Sequence, residues 1–591
     1  MKDIYKQIKY MVSYWIKIDK KSLFYFFLRI PAMVLFPLIS AYIPKSIIEC
    51  VQSKKNEKEL LLNISLLCIL LVITSWLSPF LKELLNGTSR MIRINYSIMS
   101  FNKYMEIDYE EFEKLEIREK AKCAQNFYYK SNSSSTEFIE LCNQCLICII
   151  GVLSSAIIVA KHNITILFII FLLSIIELIF LHKVKGKEKI TIDKRSKVYL
   201  KLDYFFNLGK NFSSSKDIKI FGLTKLFQYY LHRFIDESTK LISRFTKQNC
   251  LFSLIRAFTS FIRNTIIYLY IIVQVINKKI DIPDFIFYIG LITSISNWIL
   301  KFVQYYSKIL RCCIDCKNFQ EFINIENPSN RDKNTNQSIN SIDSIEFKHV
   351  YFKYHNSDEY AISDLSFKIV NGEKVAIVGE NGAGKTTIIN LICGLYKVTK
   401  GEILINGINI NELIQSSYHK LISIMFQEGI CLPTTIAKNI TLNNEYNQKK
   451  LNYVMQQAGI YKKVSTLPYK DKTNLVEEIY NDAIGMSGGE KQKLFLAKAI
   501  YRNAEMLIFD EPTAALDPIS EEELYQRILK LVNNKLSIFV SHRLPITKLC
   551  DKILYISNGN IIETGSHNDL MNKKGKYYKL YQSQGFFYNT V

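Results

Sequence analysis

The chemistry-bearing residues of this 591-residue chain centre on Gly379-Glu380-Asn381-Gly382-Ala383-Gly384-Lys385-Thr386-Thr387. Glycines let a backbone take unusual dihedrals and approach an anion closely. Successive N–H groups and a helix N-terminus then face phosphate oxygens. Lys385 is spaced to reach β- and γ-phosphates, and the Thr386 hydroxyl to hold Mg²⁺. A plain glycine-rich turn explains Gly379, Gly382 and Gly384 but not the Gly-Lys-Thr that ends the run. The loop is read as a nucleoside triphosphate site.

Five further stretches carry matching chemistry. Tyr354 closes Val350-Tyr351-Phe352-Lys353-Tyr354 and either stacks on adenine or packs in a core. Gln427 ends the apolar run Ile422–Phe426, and its amide oxygen can ligate Mg²⁺ and orient water. Ser487-Gly488-Gly489-Glu490 offers a hydroxyl and two glycine amides at a helix start, a second anion site. Asp510 and Glu511 cap the apolar run Met506–Phe509; Asp510 suits Mg²⁺ and Glu511 suits the general base that polarises water. Asp517 follows in Ala515-Leu516-Asp517. His542 ends Ile538-Phe539-Val540-Ser541 and is read either as a γ-phosphate contact or as a satisfied structural histidine.

Such groups need strands to aim them. Val375–Val378 is a short all-apolar run, as a buried parallel strand requires, and Ile388–Ile392 suits a helix. From Ile342 onward strands and helices alternate, as in a nucleotide-binding α/β domain. Residues 326–341, with Asn-Pro-Ser-Asn-Arg-Asp-Lys-Asn-Thr-Asn-Gln, have no apolar periodicity and read as a linker.

The first 325 residues are of another kind. A membrane span needs about 20 mostly apolar residues. Six runs qualify: Leu23–Ile48, Leu60–Leu85, Phe138–Ala160, Ile164–Val184, Leu251–Ile276 and Ile282–Leu310. Pro31, Pro37 and Pro44 fall inside the first, which neighbouring helices tolerate in lipid. The long loops after spans two and four are rich in Lys and Arg, so the positive-inside rule puts them and the Lys-rich N-terminus in the cytoplasm. Tyr109–Leu115 and Lys216–Gly222 within these loops mix apolar and charged residues as short helices do. The net charge of +22 therefore points to an anionic membrane surface rather than to nucleic acid. Arg256 and Arg263 share one helix face in span five, and Glu177 lies in span four. These charges either line a translocation cavity, or snorkel or pair with one another. Cys142, Cys145 and Cys148, and Cys312, Cys313 and Cys316, have no His beside them and read as packing residues.

The order and separation of these stretches resemble the ATP-binding cassette (ABC) transporter family. Phe509-Asp510-Glu511-Pro512-Thr513 after an apolar strand, preceded by Ser487-Gly488-Gly489-Glu490, carries the resemblance. It implies that Tyr354 is the adenine-stacking aromatic, Gly379 to Thr387 the Walker A loop and Gln427 the Q-loop glutamine. It likewise implies that Ser487 to Glu490 is the signature, Asp510 the Walker B aspartate, Glu511 the catalytic glutamate, Asp517 the D-loop residue and His542 the switch histidine. The family's usual signature is Leu-Ser-Gly-Gly-Gln; Met486 and Glu490 stand at its ends here.

The expected fold is thus multidomain: an all-α six-helix transmembrane domain of exporter type over 1–325, a linker, and an α/β P-loop ATPase domain over 342–591. In this family short coupling helices from the two long loops dock on the cassettes, and two cassettes close on two ATP. The resemblance implies an ATP- and Mg²⁺-dependent exporter in the cell membrane. It would act as a homodimer, or as a heterodimer with a second half-transporter, on a peptide, lipid or amphipathic small molecule. An importer with an exporter-like fold, or an ATP-driven membrane regulator that moves nothing, are the alternatives.

Overall fold

The computed structural model describes residues 2–52, 57–160, 164, 167–168, 198, 201–326, 337–355, 357–427, 429–513, 518–532, 535–541 and 544–588. The chain divides into two compact units, Met1–Lys103 with Glu119–Asn324, and Tyr104–Arg118 with Ile325–Val591.

The first unit is helical. Its elements are α1 (Lys2–Ile18), α2 (Ser22–Gln52), α3 (Glu57–Glu106), α4 (Tyr109–Glu113), α5 (Leu115–Tyr128), α6 (Ser134–Ala160), α7 (Phe212–Ile220), α8 (Thr224–Ile276) and α9 (Ile282–Ile323), of which α4 groups with the second unit. Among the described residues, five segments are long and apolar enough to cross a membrane: Ser22–Gln52, Leu61–Glu106, Ser134–Ala160, Ser253–Ile276 and Ile282–Ile323. The expected span Ile164–Val184 lies almost wholly outside the described residues. α1 is amphipathic and buries Gln7, Met11 and Trp15 while its lysines face outward. Trp15 Nε1 donates to Ser22 Oγ at 2.6 Å, which fixes the corner into α2. α2 stays helical through Pro31, Pro37 and Pro44.

Small residues set how closely these helices approach, as lipid-embedded packing requires. A side chain at Gly151 of α6 would sit 2.6 Å from the Trp298 ring of α9, and one at Gly290 of α9 would sit 2.7 Å from Ala41 Cβ of α2. Outward-facing Leu61, Leu62, Ile69, Val72 and Trp76 leave α3 with an apolar exterior. The buried charge on α2 is paired. Arg29 of α2 is only 2% exposed. Its guanidinium grips Glu140 of α6 with both terminal nitrogens, Nη2 donating to Oε1 at 3.1 Å, and Nη1 also donates to Asn143 Oδ1 at 3.1 Å. Gln144 Nε2 donates to Glu140 at 2.9 Å, and Asn143 Nδ2 donates to the Phe26 carbonyl at 2.7 Å. Arg263 is fully buried on α8 and donates to Ser260 Oγ at 3.0 Å. Glu177 lies outside the described residues, and only the backbone of Arg256 is described.

The second unit carries two sheets. β1 (Ser344–Phe352), β2 (Ile362–Val370), β4 (Lys400–Ile405) and β5 (Ile408–Asn409) make an antiparallel sheet in the order β2-β1-β4-β5. The other sheet is ordered β10-β9-β3-β8-β7-β6. It is built from β3 (Lys374–Gly379), β6 (Ile422–Met425), β7 (Met506–Asp510), β8 (Leu536–Val540), β9 (Lys552–Ser557) and β10 (Asn560–Gly565). All its pairs are parallel except β9 with β10. Every residue of β7 and β8 is buried, which is why both read as mainly apolar runs, with Asp510 ending β7 and Ser537 inside β8. Between the sheets lies a core that includes Phe347, Ile377, Ile388, Ile392, Ile508 and Val540. The helix α10 (Lys385–Ile392) follows β3, and α11 (Gln415–Lys420) precedes β6. A second core gathers α12 (Ile436–Thr441), α13 (Gln448–Ala458), α14 (Tyr461–Ser465) and α15 (Gly488–Arg502) over the other face of the parallel sheet. α16 (Pro518–Leu531), α17 (His567–Lys573) and α18 (Lys576–Tyr588) complete the unit.

Removing one partner of the Arg29–Glu140 pair strands a buried charge. Arg29→Met is expected to cost about 3 kcal/mol of stability, and Arg29→Met with Glu140→Met to regain most of it. Thermal unfolding in detergent reads both; equal losses in the single and double variants would contradict the pairing argument.

Candidate functional site

Parallel strands end on one side, and the side chains at those ends meet. Register ties Ile377 of β3 to Val540 of β8, Val540 to Asp510 of β7, and Phe509 of β7 to Met425 of β6. The loop after β3, the two acids after β7 and Gln427 after β6 therefore gather at one sheet edge.

The loop leaves no room for side chains at its ends. A Cβ at Gly379 would lie 2.1 Å from the Ile556 carbonyl oxygen. Gly384 caps α10 with φ +103°, and a Cβ there would lie 2.7 Å from Ile362 Cδ1. Asn381 and Gly382 are exposed on the loop, and Thr386 is exposed on the first turn of α10. Lys385 is buried, and its Nζ donates to the Gly379 and Glu380 carbonyls at 2.9 and 2.8 Å. Burial lowers its pKa, while Glu511 and Asp510 work against that shift. Thr387 is buried, and its hydroxyl lies 2.8 Å from the Tyr354 hydroxyl. The Tyr354 ring is braced edge-on by Phe352 and Tyr396 at 5.0 and 5.6 Å.

Asp510 is 4% exposed, and burial first and Glu511 second push its carboxyl up to about 6, against the pull of Lys385. Glu511 has a left-handed backbone, φ +49°, held by its N–H donating to the Val540 carbonyl at 2.9 Å. Non-glycine residues pay to sit there, and such strain concentrates at working sites. Gln427 Nε2 donates to Glu511 Oε2 at 2.8 Å, so the amide and the candidate base meet directly. The carboxylate of Asp510, the amide oxygen of Gln427 and the hydroxyl of Thr386 are hard oxygen donors, the set Mg²⁺ prefers.

The second anion site is built differently. Ser487 caps the fifteen-residue helix α15 in a reciprocal capping box. Its hydroxyl accepts from Glu490 N–H at 3.3 Å, and Glu490 Oε2 accepts from Ser487 N–H at 2.9 Å. Lys463 of α14 pairs with the other Glu490 oxygen at 3.3 Å. The Ser487 amide first, and Lys463 after the cost of burial, hold the Glu490 carboxyl below the usual range. Gly488 and Gly489 form the first turn of α15. Glu490 thus does structural work within its own helix, and its cation is Lys463.

Asp517 and His542 lie outside the described residues. Immediately before Asp517's loop, Thr513 Oγ1 donates to Glu521 Oε1 at 3.2 Å and lies 2.9 Å from the Tyr525 hydroxyl. That knot, the Lys463 pairing and the Tyr396 brace were not singled out from sequence. The spacing of Glu521 and Tyr525 on one helical face was the available signal for the first.

The family model described as ABC transporter matches residues 362–514. The chain is 27% identical to the subtilin transport ATP-binding protein of Bacillus subtilis, covering 96% of this chain and 92% of that one. It is 26% identical to the nisin transport ATP-binding protein of Lactococcus lactis subsp. lactis, covering 96% and 95%. The fold matches a bacterial Atm1-family ABC exporter with ATP bound at a TM-score of 0.80 and 19% identity, over 96% of this chain and 99% of that one.

The capping box makes a ranked prediction. Ser487→Ala is expected to cost about 1 kcal/mol. Glu490→Gln keeps an acceptor for the Ser487 amide and loses only a half-exposed ion pair, worth under about 1 kcal/mol. Thermal melts of the two variants should fall in that order; the reverse order would sink the capping assignment.

Proposed function

We propose that this chain, a multi-pass membrane protein with an ABC transporter domain whose ATP hydrolysis is coupled to export, exports a bacteriocin-like peptide as a homodimer. The observation that carries the substrate class is the similarity, along nearly the whole chain, to the subtilin and nisin transport proteins. That span includes the helical unit, where a cargo would be held, and not the ATP-binding region alone.

Two copies are needed because one chain has one phosphate loop and one Ser487 helix start. Each copy would offer its loop to the other's α15. Both faces carry usable groups, Lys385 and Glu511 on one and Ser487 with the glycine amides on the other, which supports two working sites. The exposed Ile220 and Phe221 at the end of α7 support a partner too, since such an apolar tip calls for cover. The basic long loops of the helical unit support a cytoplasmic face for those loops and for the ATP site.

In this mechanism the loop amides and Lys385 hold the β- and γ-phosphates, and Tyr354 receives the adenine. Thr386, Gln427 and Asp510 would hold Mg²⁺, whose charge offsets that developing on the phosphates. Glu511 takes the proton from the attacking water, and Gln427 orients the carboxylate through their shared hydrogen bond. Asp517 and His542 are assigned to the closing partner face and the γ-phosphate. Lys385 gives up its hold on the Gly379 and Glu380 carbonyls when a phosphate offers it more negative charge.

Glu511→Gln is expected to cut turnover about 100-fold or more while ATP stays bound, as loss of a general base does. The protein reconstituted in nanodiscs is assayed for ATP hydrolysis with nisin, a lipid mixture and an amphipathic drug added in turn. Stimulation by nisin alone supports the peptide reading. Stimulation by a lipid or drug alone moves the cargo class. Peptide driven inward in vesicle uptake would make the chain an importer, and hydrolysis without any cargo movement a regulator. Wild-type turnover in Glu511→Gln would overturn the base assignment.

A further inference from the structure

The strained turn at Glu511 has a brace behind it that no motif announces. Glu511 follows the last residue of β7 with φ +49°. One restraint on that turn is main-chain: the Glu511 N–H donates to the Val540 carbonyl of β8 at 2.9 Å. A second is built from side chains. Thr513, two residues on, donates its hydroxyl to Glu521 Oε1 of α16 at 3.2 Å and lies 2.9 Å from the Tyr525 hydroxyl of the same helix. Ser541, which directly follows Val540, hydrogen-bonds that Tyr525 hydroxyl through its own side chain. Thr513, Glu521, Tyr525 and Ser541 are all buried.

Buried hydroxyls away from water have few partners to choose from, so a satisfied knot of this kind fixes one geometry. Its anchor is firm. Leu524 and Ile528 seat α16 in the same core as Phe509 of β7 and Phe539 of β8. Glu521 and Tyr525 lie one turn apart and so share a helix face. Burial above all pushes the Tyr525 phenol up to about 12, which keeps its proton in place as a donor. The knot joins the chain just past Glu511 to the chain just past Val540, the same two strand ends that the main-chain bond joins. A non-glycine residue persists in the left-handed region only where its surroundings over-determine the turn. Two independent ties across the β7 and β8 ends supply that over-determination.

We propose that Tyr525 is a positioning residue that staples the turn at Glu511 and so aims the Glu511 carboxylate for proton transfer. The proposal rests on the reading of Glu511 as the general base. Tyr525 acts through Thr513 and Ser541 and needs no contact with nucleotide. Its ring packs α16 onto the sheet, while its hydroxyl does the stapling, so the two contributions separate in a substitution that removes oxygen alone.

The test is ATP turnover of the full chain in nanodiscs, with kcat and KM for ATP measured separately. Tyr525→Phe is expected to lower kcat about 10-fold with KM unchanged, the loss that a small misplacement of a reacting group produces. In a Glu511→Gln background the same substitution should leave the residual turnover where it is, because no base remains to be aimed. Thr513→Val should copy the loss, and Thr513→Ser, which keeps a hydroxyl, should hold most of the rate. An unchanged kcat in Tyr525→Phe overturns the staple. So does an equal fractional loss with and without Glu511, which is what a merely structural role would give. If Tyr525→Phe does not assemble, Thr513→Val is set against Thr513→Ser, and equal kcat values overturn the staple. Wild-type turnover in Glu511→Gln sinks the base reading itself, whereas depleted turnover there beside an unaffected Tyr525→Phe sinks only the staple.

Discussion

The parallel register of β3, β8, β7 and β6 is the constraint on which the site depends. Four strands from distant parts of the chain end on one edge, and three of those ends each contribute one kind of group: loop amides and lysine after β3, two acids after β7, an amide after β6. Hydrogen bonds between strands fix those positions more tightly than any side-chain contact could. The chemistry then needs only residues of the right type at the last turn of each strand. Burial does the tuning. Asp510 and Lys385 are both pushed toward their neutral forms by desolvation, and each opposes the shift of the other. The site is electrostatically poised by mutual proximity rather than by any one strong bond.

The membrane unit solves a different problem with related means. Its helices cannot gain from hiding apolar surface in lipid, so close approach and satisfied polarity hold them. Gly151 under Trp298 and Gly290 against Ala41 supply the first. Arg29 with Glu140 and Asn143 supplies the second, linking α2 to α6. These two devices use few residues, which leaves most of the sequence free to be simply apolar.

That division explains what was legible in the sequence. The phosphate loop, Gln427, Asp510 and Glu511 announce themselves because each sits at a strand end where the pattern switches abruptly from apolar to polar. α4 was legible too, from the mixture of aromatic and acidic residues in Tyr109–Leu115. The role of Glu490 was not, because its meaning depends on Lys463, which precedes it by a whole loop and joins it only in the folded helices. Tyr396 was hidden for the opposite reason. It lies among other aromatic and apolar residues, where a tyrosine reads as core, and its ring partner Tyr109 comes from a segment far earlier in the chain. Arg29 and Glu140 were passed over because single charges near the ends of apolar runs are ordinary; their pairing becomes evident only when α2 and α6 are side by side.

The left-handed backbone at Glu511 has an evolutionary consequence. Holding a side chain at φ +49° costs on the order of 1 kcal/mol, which glycine would not pay and asparagine would pay less of. Replacement of Glu511 by glycine is therefore a change that relaxes the backbone. A copy of this chain released from the duty to hydrolyse, as after duplication into two unequal halves, would drift downhill in energy toward an inert site. On the proposed reading of Glu511 as the base, its chemistry is what a glutamate brings to a conformation its own backbone resists.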